Sequence, residues 1–210
     1  MNNSDIVYIS GLFEDIDKGL YPVIKNILET GAYNCVCIQL YKNSKDFGSY
    51  PFDIEIKRID QEIGNYNPKL IIAHSLGGYV ALQLQNDIPL ILLDPSMPIS
   101  EIINNNLQLT ESGYFYNDGE TTIGLSNNFI KSLPLTPTID QLTKSSKIKD
   151  ICIVGAGKGG YRVAEKYKNN LSTAEYTLMG DADHNFSEVS VQNQIMLIIK
   201  KRLGIDQDRC

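Results

Sequence analysis

Short apolar runs alternate with longer segments of helical periodicity along most of this 210-residue chain. The short runs are rich in Ile, Val and Leu and mostly apolar on both faces, which is typical of parallel strands covered on both sides. They lie at residues 6–10, 35–40, 70–74, 90–94, 151–155 and 174–179. Apolar residues three or four positions apart predict helices between them, at residues 17–30, 53–63, 76–86, 160–170 and 187–203. This alternation predicts an α/β fold with an open, doubly wound, mainly parallel six-stranded sheet.

One long segment interrupts the alternation. Residues 95–149 separate the fourth and fifth predicted strands by far more than a usual crossover connection. The segment contains four prolines and scattered apolar side chains, so we predict an inserted cap or lid of short helices within a single domain that spans residues 1–210. The alternative is a partly disordered surface loop.

The composition disfavours several kinds of partner. The formal net charge of −6 argues against nucleic acid, because phosphate binding needs a basic face. No run approaches the ~20 apolar residues of a membrane span. The N-terminal segment also lacks the basic leader and apolar run of a signal peptide. We therefore expect a cytoplasmic protein with a small-molecule partner, and the sequence leaves its oligomeric state open.

The four cysteines agree with a reducing compartment. Cys35, Cys37 and Cys152 stand in apolar runs and are predicted to be buried thiols. Cys210 is the last residue, so it cannot belong to a prenylation box, which needs three residues after the cysteine. No second cysteine pair or histidine pair completes a metal site, and we predict neither a metal nor a cofactor.

The most informative string is LIIAHSLGGYVALQL, at residues 70–84. An apolar strand runs directly into Ser75, a helix follows at once, and the small residues Ala73 and Gly77 flank the serine. A nucleophile on such a sharp turn has a strained backbone and an exposed hydroxyl, and the neighbouring turns leave room only for small flanking side chains. The helix N-terminus also places the Leu76 N–H beside the hydroxyl, where it can stabilise an oxyanion.

This string resembles the nucleophile elbow of the α/β-hydrolase family. The family pattern is G-x-S-x-G, and Ala73 replaces its first glycine here. The resemblance extends over nearly the whole chain, although the two leading antiparallel strands of the family are missing, which leaves a compact six-strand version. It implies the α/β-hydrolase fold, a serine-dependent hydrolysis, and a nucleophile that precedes the catalytic histidine in the chain.

A serine nucleophile needs a general base, and the chain has only two histidines. His74 is adjacent to Ser75, and adjacent side chains diverge on an elbow, so His74 is a poor candidate. His184 follows the sixth predicted strand and precedes the last helix. The family resemblance places the catalytic histidine there, and the family's chain order agrees.

The second oxyanion donor is expected in the loop after the first strand. In the string YISGLF, Gly11 lets the backbone turn and the Leu12 N–H would point toward the site. This loop resembles the strand–Gly–x loop of the family, with Ser10 in place of the usual histidine.

The third member of the triad is harder to find. In the family the acid commonly follows the strand before the histidine strand, but residues 156–160 contain no carboxylate. Asp94 ends the fourth predicted strand at the same sheet edge, where some family members place the acid, and it is our candidate. The alternative is that Asp94 only caps a turn before a proline. Asp181 and Asp183 are too close to the histidine in sequence, and Asp150 is at the wrong end of its strand.

A second motif points elsewhere. Gly155, Gly157 and Gly160 fit the G-x-G-x-x-G pattern of dinucleotide-binding loops, and Asp181 stands where a ribose-binding acid is expected. Such a site needs the first βα turn of a βαβαβ half, whereas only one helix, one strand and a final helix follow this loop. We therefore expect the glycines to let the backbone pass close beneath the histidine loop.

The resulting hypothesis is a serine hydrolase that cleaves a small carboxylic ester or thioester through an acyl-enzyme. Ser75, His184 and Asp94 are the predicted triad, and the cap segment would line an apolar acyl pocket with Phe115 or Phe129. The main alternative is a non-catalytic protein that uses the same fold for binding or signalling. The remote alternative is a dinucleotide-binding protein.

Overall fold

A computed structural model describes residues 6–30, 33–42, 46–145, 147–158 and 162–205. The strands are β1 (Ile6–Ile9), β2 (Cys35–Ile38), β3 (Leu70–His74), β4 (Leu90–Leu93), β5 (Leu107–Thr110), β6 (Gly113–Asn117), β7 (Thr122–Leu125), β8 (Ile151–Ala156) and β9 (Glu175–Met179). The helices are α1 (Leu20–Thr30), α2 (Phe52–Gly64), α3 (Leu76–Ala81), α4 (Ile99–Asn106), α5 (Asn127–Ser132), α6 (Ile139–Ser145), α7 (Val163–Asn170) and α8 (Val189–Leu203). Within those ranges, no helix is long and apolar enough to cross a membrane.

Six strands form the main sheet, in the order β2-β1-β3-β4-β8-β9, and every neighbouring pair is parallel. The prediction of a parallel six-stranded sheet is therefore confirmed. All six carboxyl ends meet at one edge because all the strands run in the same direction. The pairing of His74 with Leu93 brings the residues after β3 and β4 to neighbouring places on that edge.

Helices cover both faces of this sheet. Ile24 of α1 and Ile195 of α8 lie in the apolar core on one face. Ile59 of α2, Tyr79 of α3 and Tyr167 of α7 lie in the core on the other face. Successive residues of a strand point to opposite faces, so apolar runs such as β3 contribute to both cores at once. The sheet is doubly wound, as predicted.

Two elements differ from the sequence prediction. Helix α3 ends at Ala81, five residues earlier than the predicted end at 86, because the N–H groups of Gln83 and Leu84 bond to carbonyls three residues back instead of four. Strand β9 is exposed at Glu175, Thr177 and Leu178, because it lies at the edge of the sheet and only one of its faces is well covered.

The segment 95–149 is not only helical, and this part of the prediction was wrong. Between α4 and α5 it contains a three-stranded antiparallel sheet in the order β5-β6-β7. A turn at Asp118 and Gly119 joins the last two strands, and Gly119 has a φ of +96°. Asp-Gly between two short strands is a strong hairpin signal, so this turn was visible in the sequence.

The inserted segment is firmly attached to the rest of the chain. Phe129 is fully buried and packs edge-on against Phe47, with 5.5 Å between ring centroids. The Tyr79 hydroxyl donates to the Pro137 carbonyl at 2.8 Å. The insertion thus shares the core on one face of the main sheet, and in this structure it is not a disordered loop.

The cysteines in the described ranges carry free thiols. Cys35 and Cys152 are buried as predicted, whereas Cys37 is only half-buried because β2 is an edge strand. Burial raises the pKa of the Cys152 thiol to about 11. Cys210 lies outside the described residues.

Candidate active site

Ser75 forms a sharp elbow between β3 and α3. Its backbone has φ 51° and ψ −122°, a region that non-glycine residues rarely adopt. The Ser75 N–H donates to the Leu93 carbonyl at 3.0 Å, and the Ser75 carbonyl accepts from the N–H groups of Gly78 and Ser96. These bonds hold the strained residue in place, with its side chain at the carboxyl edge of the sheet.

The elbow packs directly against the end of β1. A Cβ atom at position 77 would lie 2.5 Å from the Ser10 carbonyl oxygen and 2.6 Å from that of Ile9. Both contacts are with backbone atoms of a buried strand, which cannot move aside as a flexible side chain would. Only glycine therefore fits at position 77, as the elbow pattern predicts.

We expect Gly77→Ala to lower the free energy of unfolding by about 2 kcal/mol or more, because the added methyl group overpacks the junction of elbow and strand. Chemical denaturation monitored by circular dichroism measures the change. Gly64→Ala is the matched control, because a Cβ atom there has no neighbour within 4 Å. Equal stability of the two variants would contradict the steric interpretation.

A chain of two hydrogen bonds joins Ser75, His184 and Asp94. The Ser75 Oγ lies 2.9 Å from His184 Nε2, and His184 Nδ1 lies 2.5 Å from Asp94 Oδ2. A carboxylate only accepts hydrogen bonds, so Nδ1 carries the proton of the neutral ring and Nε2 is free to accept from the serine hydroxyl. We call these three side chains the Ser75–His184–Asp94 array.

Asp94 is held rigidly for its place in this array. The residue is 3% exposed and has a φ of 41°, so its backbone turns sharply after β4. Its N–H donates to the Val154 carbonyl at 2.7 Å, and its second carboxylate oxygen accepts the Ala156 N–H at 3.1 Å. Neighbouring strand β8 therefore fixes the carboxylate, with one oxygen left for the histidine.

The other carboxylates considered from the sequence point elsewhere. Asp183 accepts the backbone N–H of Ser187 at 2.9 Å, Asp150 is paired with Arg202 at the opposite end of β8, and Asp181 is exposed. The structure thus brings together the serine, the histidine and the one acid that the sheet-edge argument selected.

His74 has a different environment, which the sequence did not predict. It is 3% exposed, and its Nδ1 lies 2.9 Å from Glu14 Oε2. Its Nε2 lies 2.9 Å from the backbone carbonyl oxygen of His184. His74 does not contact the serine hydroxyl in this arrangement but lies behind the array, with its ring centroid 5.1 Å from that of His184.

Both members of this pair have shifted pKa values. Burial by itself raises the pKa of Glu14, but the hydrogen bond and charge of His74, with donors from Gly11 and Tyr8, hold it below its usual value. Burial by itself lowers the pKa of His74, but the bond to Glu14 and its charge, with the His184 carbonyl, raise it overall. Both shifts favour an ion pair at neutral pH.

The loop after β1 lies against the elbow. A Cβ atom at Gly11 would be 3.1 Å from the Ser75 Cβ, and Leu12 lines the space beside Ser75. Leu76 is the first residue of α3, so its N–H has no acceptor within the helix. Both predicted oxyanion donors, Leu12 and Leu76, thus belong to backbone that adjoins the serine.

Several solved structures resemble this architecture, although no protein-family model and no curated protein sequence matches the chain. Est1E from Butyrivibrio proteoclasticus with bound ferulic acid has a TM-score of 0.74 at 12% identity, over 97% of this chain and 90% of that chain. MGS-MChE2, an alpha/beta hydrolase enzyme from the metagenome of lagoon sediments at Mar Chica, Morocco, has a TM-score of 0.64 at 15% identity, over 97% and 93%. The thioesterase domain from the curacin biosynthetic pathway has a TM-score of 0.61 at 15% identity, over 94% and 91%.

This chain has the α/β-hydrolase fold. The similarity extends over nearly the full length of both chains in each comparison, so it includes the sheet, the flanking helices and the elbow region. The fold predicted from the elbow and from the strand pattern is confirmed.

In the described part of this α/β-hydrolase fold, two clefts open on Ser75 and His184. The first has a volume of about 560 Å³, and we call it the apolar cleft because most of its surface is apolar. Its apolar residues include Leu12, Phe13, Met97, Ile102, Tyr116 and Val163, and polar residues such as Asn105 and Asn106 complete the lining. The second has a volume of about 650 Å³, and we call it the polar cleft because of its polar lining, which includes Asp15, Lys18, Glu120, Thr121, Asn185 and Gln192. The Ser75 hydroxyl thus lies between two different environments.

The prediction that Phe115 or Phe129 lines the apolar cleft was wrong. Phe129 is fully buried in the core, and Tyr116 lines the cleft in place of Phe115. Neighbouring residues on β6 point to opposite sides of the strand, so only one of Phe115 and Tyr116 can face the site.

The glycine-rich loop after β8 packs against the histidine loop. The Gly157 N–H donates to the Met179 carbonyl at 2.9 Å, and the Lys158 N–H donates to the Ala182 carbonyl at 2.8 Å. A side chain at position 157 would collide with the backbone of Gly180. These N–H groups are already used, which argues against a pyrophosphate site and agrees with the predicted close passage. Gly160 lies outside the described residues.

Across the described ranges, no group of three or more His, Cys, Asp and Glu side chains is arranged to hold a metal ion.

Proposed function

We propose that this chain is a serine hydrolase that cleaves a small carboxylic ester or thioester through an acyl-enzyme at Ser75. The observation that carries the proposal is the hydrogen-bond chain from Ser75 Oγ through His184 to Asp94, at a strained elbow beside two open clefts. The fold comparisons agree with it, because a structure described as one of the carboxylesterases of Nitrososphaera gargenis and a thioesterase domain share this architecture.

In the first half of the reaction, Ser75 Oγ attacks the acyl carbon while its proton passes to His184 Nε2. The ring is then doubly protonated, and the adjacent Asp94 carboxylate stabilises its positive charge. The N–H groups of Leu12 and Leu76 bind the oxyanion of the tetrahedral intermediate. His184 gives its Nε2 proton to the leaving oxygen or sulfur, the bond to the leaving group breaks, and the acyl-enzyme remains.

In the second half, water takes the place of the leaving group. His184 Nε2 removes a proton from the water, whose oxygen attacks the acyl carbon. The second tetrahedral intermediate collapses, the proton returns to Ser75 Oγ, and the carboxylic acid leaves. Every step uses only groups of this chain and water.

The two clefts suggest how the substrate lies. The acyl group fits the apolar cleft, where contact with apolar side chains such as Met97 and Ile102 removes its hydrocarbon surface from water. The leaving group then points toward the polar cleft, where a departing alcohol or thiol meets polar side chains and solvent. This orientation suits an ester or thioester with an apolar acyl part and a polar leaving group.

Active-site labelling tests the proposal. We expect a fluorophosphonate to react with the folded protein and to leave one phosphonyl adduct, which peptide mass spectrometry assigns to Ser75. Its reaction depends on activation by His184, so denatured protein serves as the control and is expected to stay unlabelled.

The labelling result also separates the alternatives. A folded protein that forms no adduct at Ser75 and does not hydrolyse short p-nitrophenyl esters or thioesters would contradict the proposal and favour a non-catalytic binding role. A thermal shift with NAD or NADP would instead support a dinucleotide site.

A further inference from the structure

A largely buried carboxylate, that of Glu14, lies beside the proposed active site, and Glu14 and His74 both belong to the lining of the polar cleft. Glu14 Oε1 accepts the Tyr8 hydroxyl at 2.8 Å. Glu14 Oε2 accepts the Gly11 N–H at 2.7 Å and faces His74 Nδ1 at 2.9 Å. The side chain is 9% exposed, so these partners replace most of the water that would otherwise solvate the carboxylate.

The contacts of His74 determine its protonation. Nε2 faces the His184 carbonyl oxygen, which only accepts hydrogen bonds, so Nε2 carries a proton. Nδ1 faces a Glu14 carboxylate that already accepts two other donors, and these favour its ionised form. His74 is then an imidazolium that donates from both nitrogens.

This pair connects two segments that the reaction needs. Through the Gly11 N–H, Glu14 holds the turn that precedes Leu12, the proposed oxyanion donor. Through its Nε2, His74 holds the backbone of His184, the proposed base. These two segments are far apart in sequence, and each is exposed to solvent on its cleft side.

We propose that Glu14 and His74 are positioning residues. They form a buried ion pair that holds the turn at Gly11 and Leu12 and the backbone of His184 in fixed places relative to each other. The Ser75 hydroxyl and the His184 ring are hydrogen-bonded to each other and to Asp94, whereas Glu14 and His74 are bonded to the backbone of Gly11 and of His184, through which they act. The catalytic part of this inference depends on the proposed hydrolase function, whereas the ion pair itself does not.

The test compares two variants of similar design. Glu14→Gln keeps the size of the side chain but removes its charge. Glu55→Gln is the matched control, because Glu55 is also a buried carboxylate with three kinds of partner. It accepts hydrogen bonds from the backbone N–H of Tyr41, the hydroxyl of Tyr50 and the guanidinium of Arg58. Glu55 lies outside the lining of both clefts, so it reports the effect of losing a buried charge without touching the site.

We expect both variants to unfold at lower temperature, but only Glu14→Gln to lose activity. Its kcat should fall by about 10- to 100-fold, because a misplaced base or oxyanion donor weakens the transition state more than the bound substrate. KM should change by less than about threefold for the same reason. Equal kcat values for Glu14→Gln and Glu55→Gln would overturn the positioning role.

Nitrogen-15 NMR of the histidines gives a readout that does not need turnover. We expect His74 in the wild-type protein to show two protonated ring nitrogens at neutral pH, and to become neutral in Glu14→Gln. A neutral His74 in the wild-type protein would overturn the ion pair. A charged His74 in a protein that is never labelled at Ser75 would instead contradict the hydrolase proposal and leave the ion pair intact.

Discussion

Ser75→Ala is expected to lower kcat for p-nitrophenyl butyrate by about a million-fold. The rate that remains would come from a site that still binds the substrate and its oxyanion but has no nucleophile. The reason is chemical: alanine has no oxygen to attack the acyl carbon, so the acyl-enzyme cannot form. The fold should persist, because the removed hydroxyl has its hydrogen bond to His184 at the surface of a cleft. Steady-state kinetics and fluorophosphonate labelling measure the loss, and circular dichroism checks the fold.

Ser112→Ala is the control for this experiment. Ser112 is an exposed serine on the turn between β5 and β6, and it lines neither cleft. It should keep wild-type kinetics and labelling. Turnover that survives in Ser75→Ala would mean that another group or a contaminant carries the activity, and the assignment of Ser75 would be wrong.

Asp94→Asn is expected to slow the reaction by about a thousand- to ten-thousand-fold. An asparagine amide can present its NH2 to His184 Nδ1, and the ring then carries its proton on Nε2, where it can no longer accept from Ser75. The amide also fails to stabilise the imidazolium that forms when Ser75 attacks. The measurement is kcat/KM with a p-nitrophenyl ester, together with a melting curve.

Asp183→Asn is the matched control, because it changes the acid next to His184 in sequence. The Asp183 carboxylate accepts the Ser187 N–H instead of facing the histidine ring, so its loss should change kcat/KM by less than about tenfold. A small effect of Asp94→Asn would support the alternative in which Asp94 only shapes the turn after β4.

The elbow was predictable because its determinants are local. An apolar strand, a serine, a glycine two residues later and an immediate helix follow each other within residues 70–84. The geometry of Ser75 depends on these neighbours and on the close approach of β1 at Gly77. The parallel, doubly wound character of the sheet followed from the same local patterns, whereas the order of its strands was not predicted.

Predicting the acid of the proposed triad needed an argument beyond the local sequence pattern. Its usual place lacks a carboxylate, and the convergence of strand ends together with the family resemblance pointed to Asp94. The structure places its carboxylate at the His184 ring, 90 residues away in sequence. The parallel sheet brings the two residues together because it gathers the strand ends at one edge. The distance between Asp94 and His184, and the hydrogen bond from the Ala156 N–H, could not be predicted from the sequence.

The Glu14–His74 pair was missed because its partners are 60 residues apart and the elbow pattern leaves the residue at position 74 unspecified. Only one signal was available: a histidine that ends an apolar strand is buried, and a buried imidazole needs polar partners. The antiparallel sheet of the inserted segment was also not predicted, although its Tyr-Phe-Tyr and Asp-Gly strings are typical of a hairpin. Its strands are short and half-exposed, so they lack the long apolar runs that predicted the main sheet.

The inserted segment begins and ends on adjacent strands. The chain leaves the sheet after Asp94 and returns at Ile151, and β4 and β8 are hydrogen-bonded neighbours. The two ends of the inserted segment thus lie side by side, and residues that face the apolar cleft can vary as long as Ser96 still holds the elbow and Phe129 still fills the core. Met97, Ile102 and Tyr116 belong to this segment. Under the proposed function, substrate preference and chemistry are therefore partly separable: substitutions at these three positions would reshape the apolar cleft, while Ser75, His184 and Asp94 lie outside the segment that is changed.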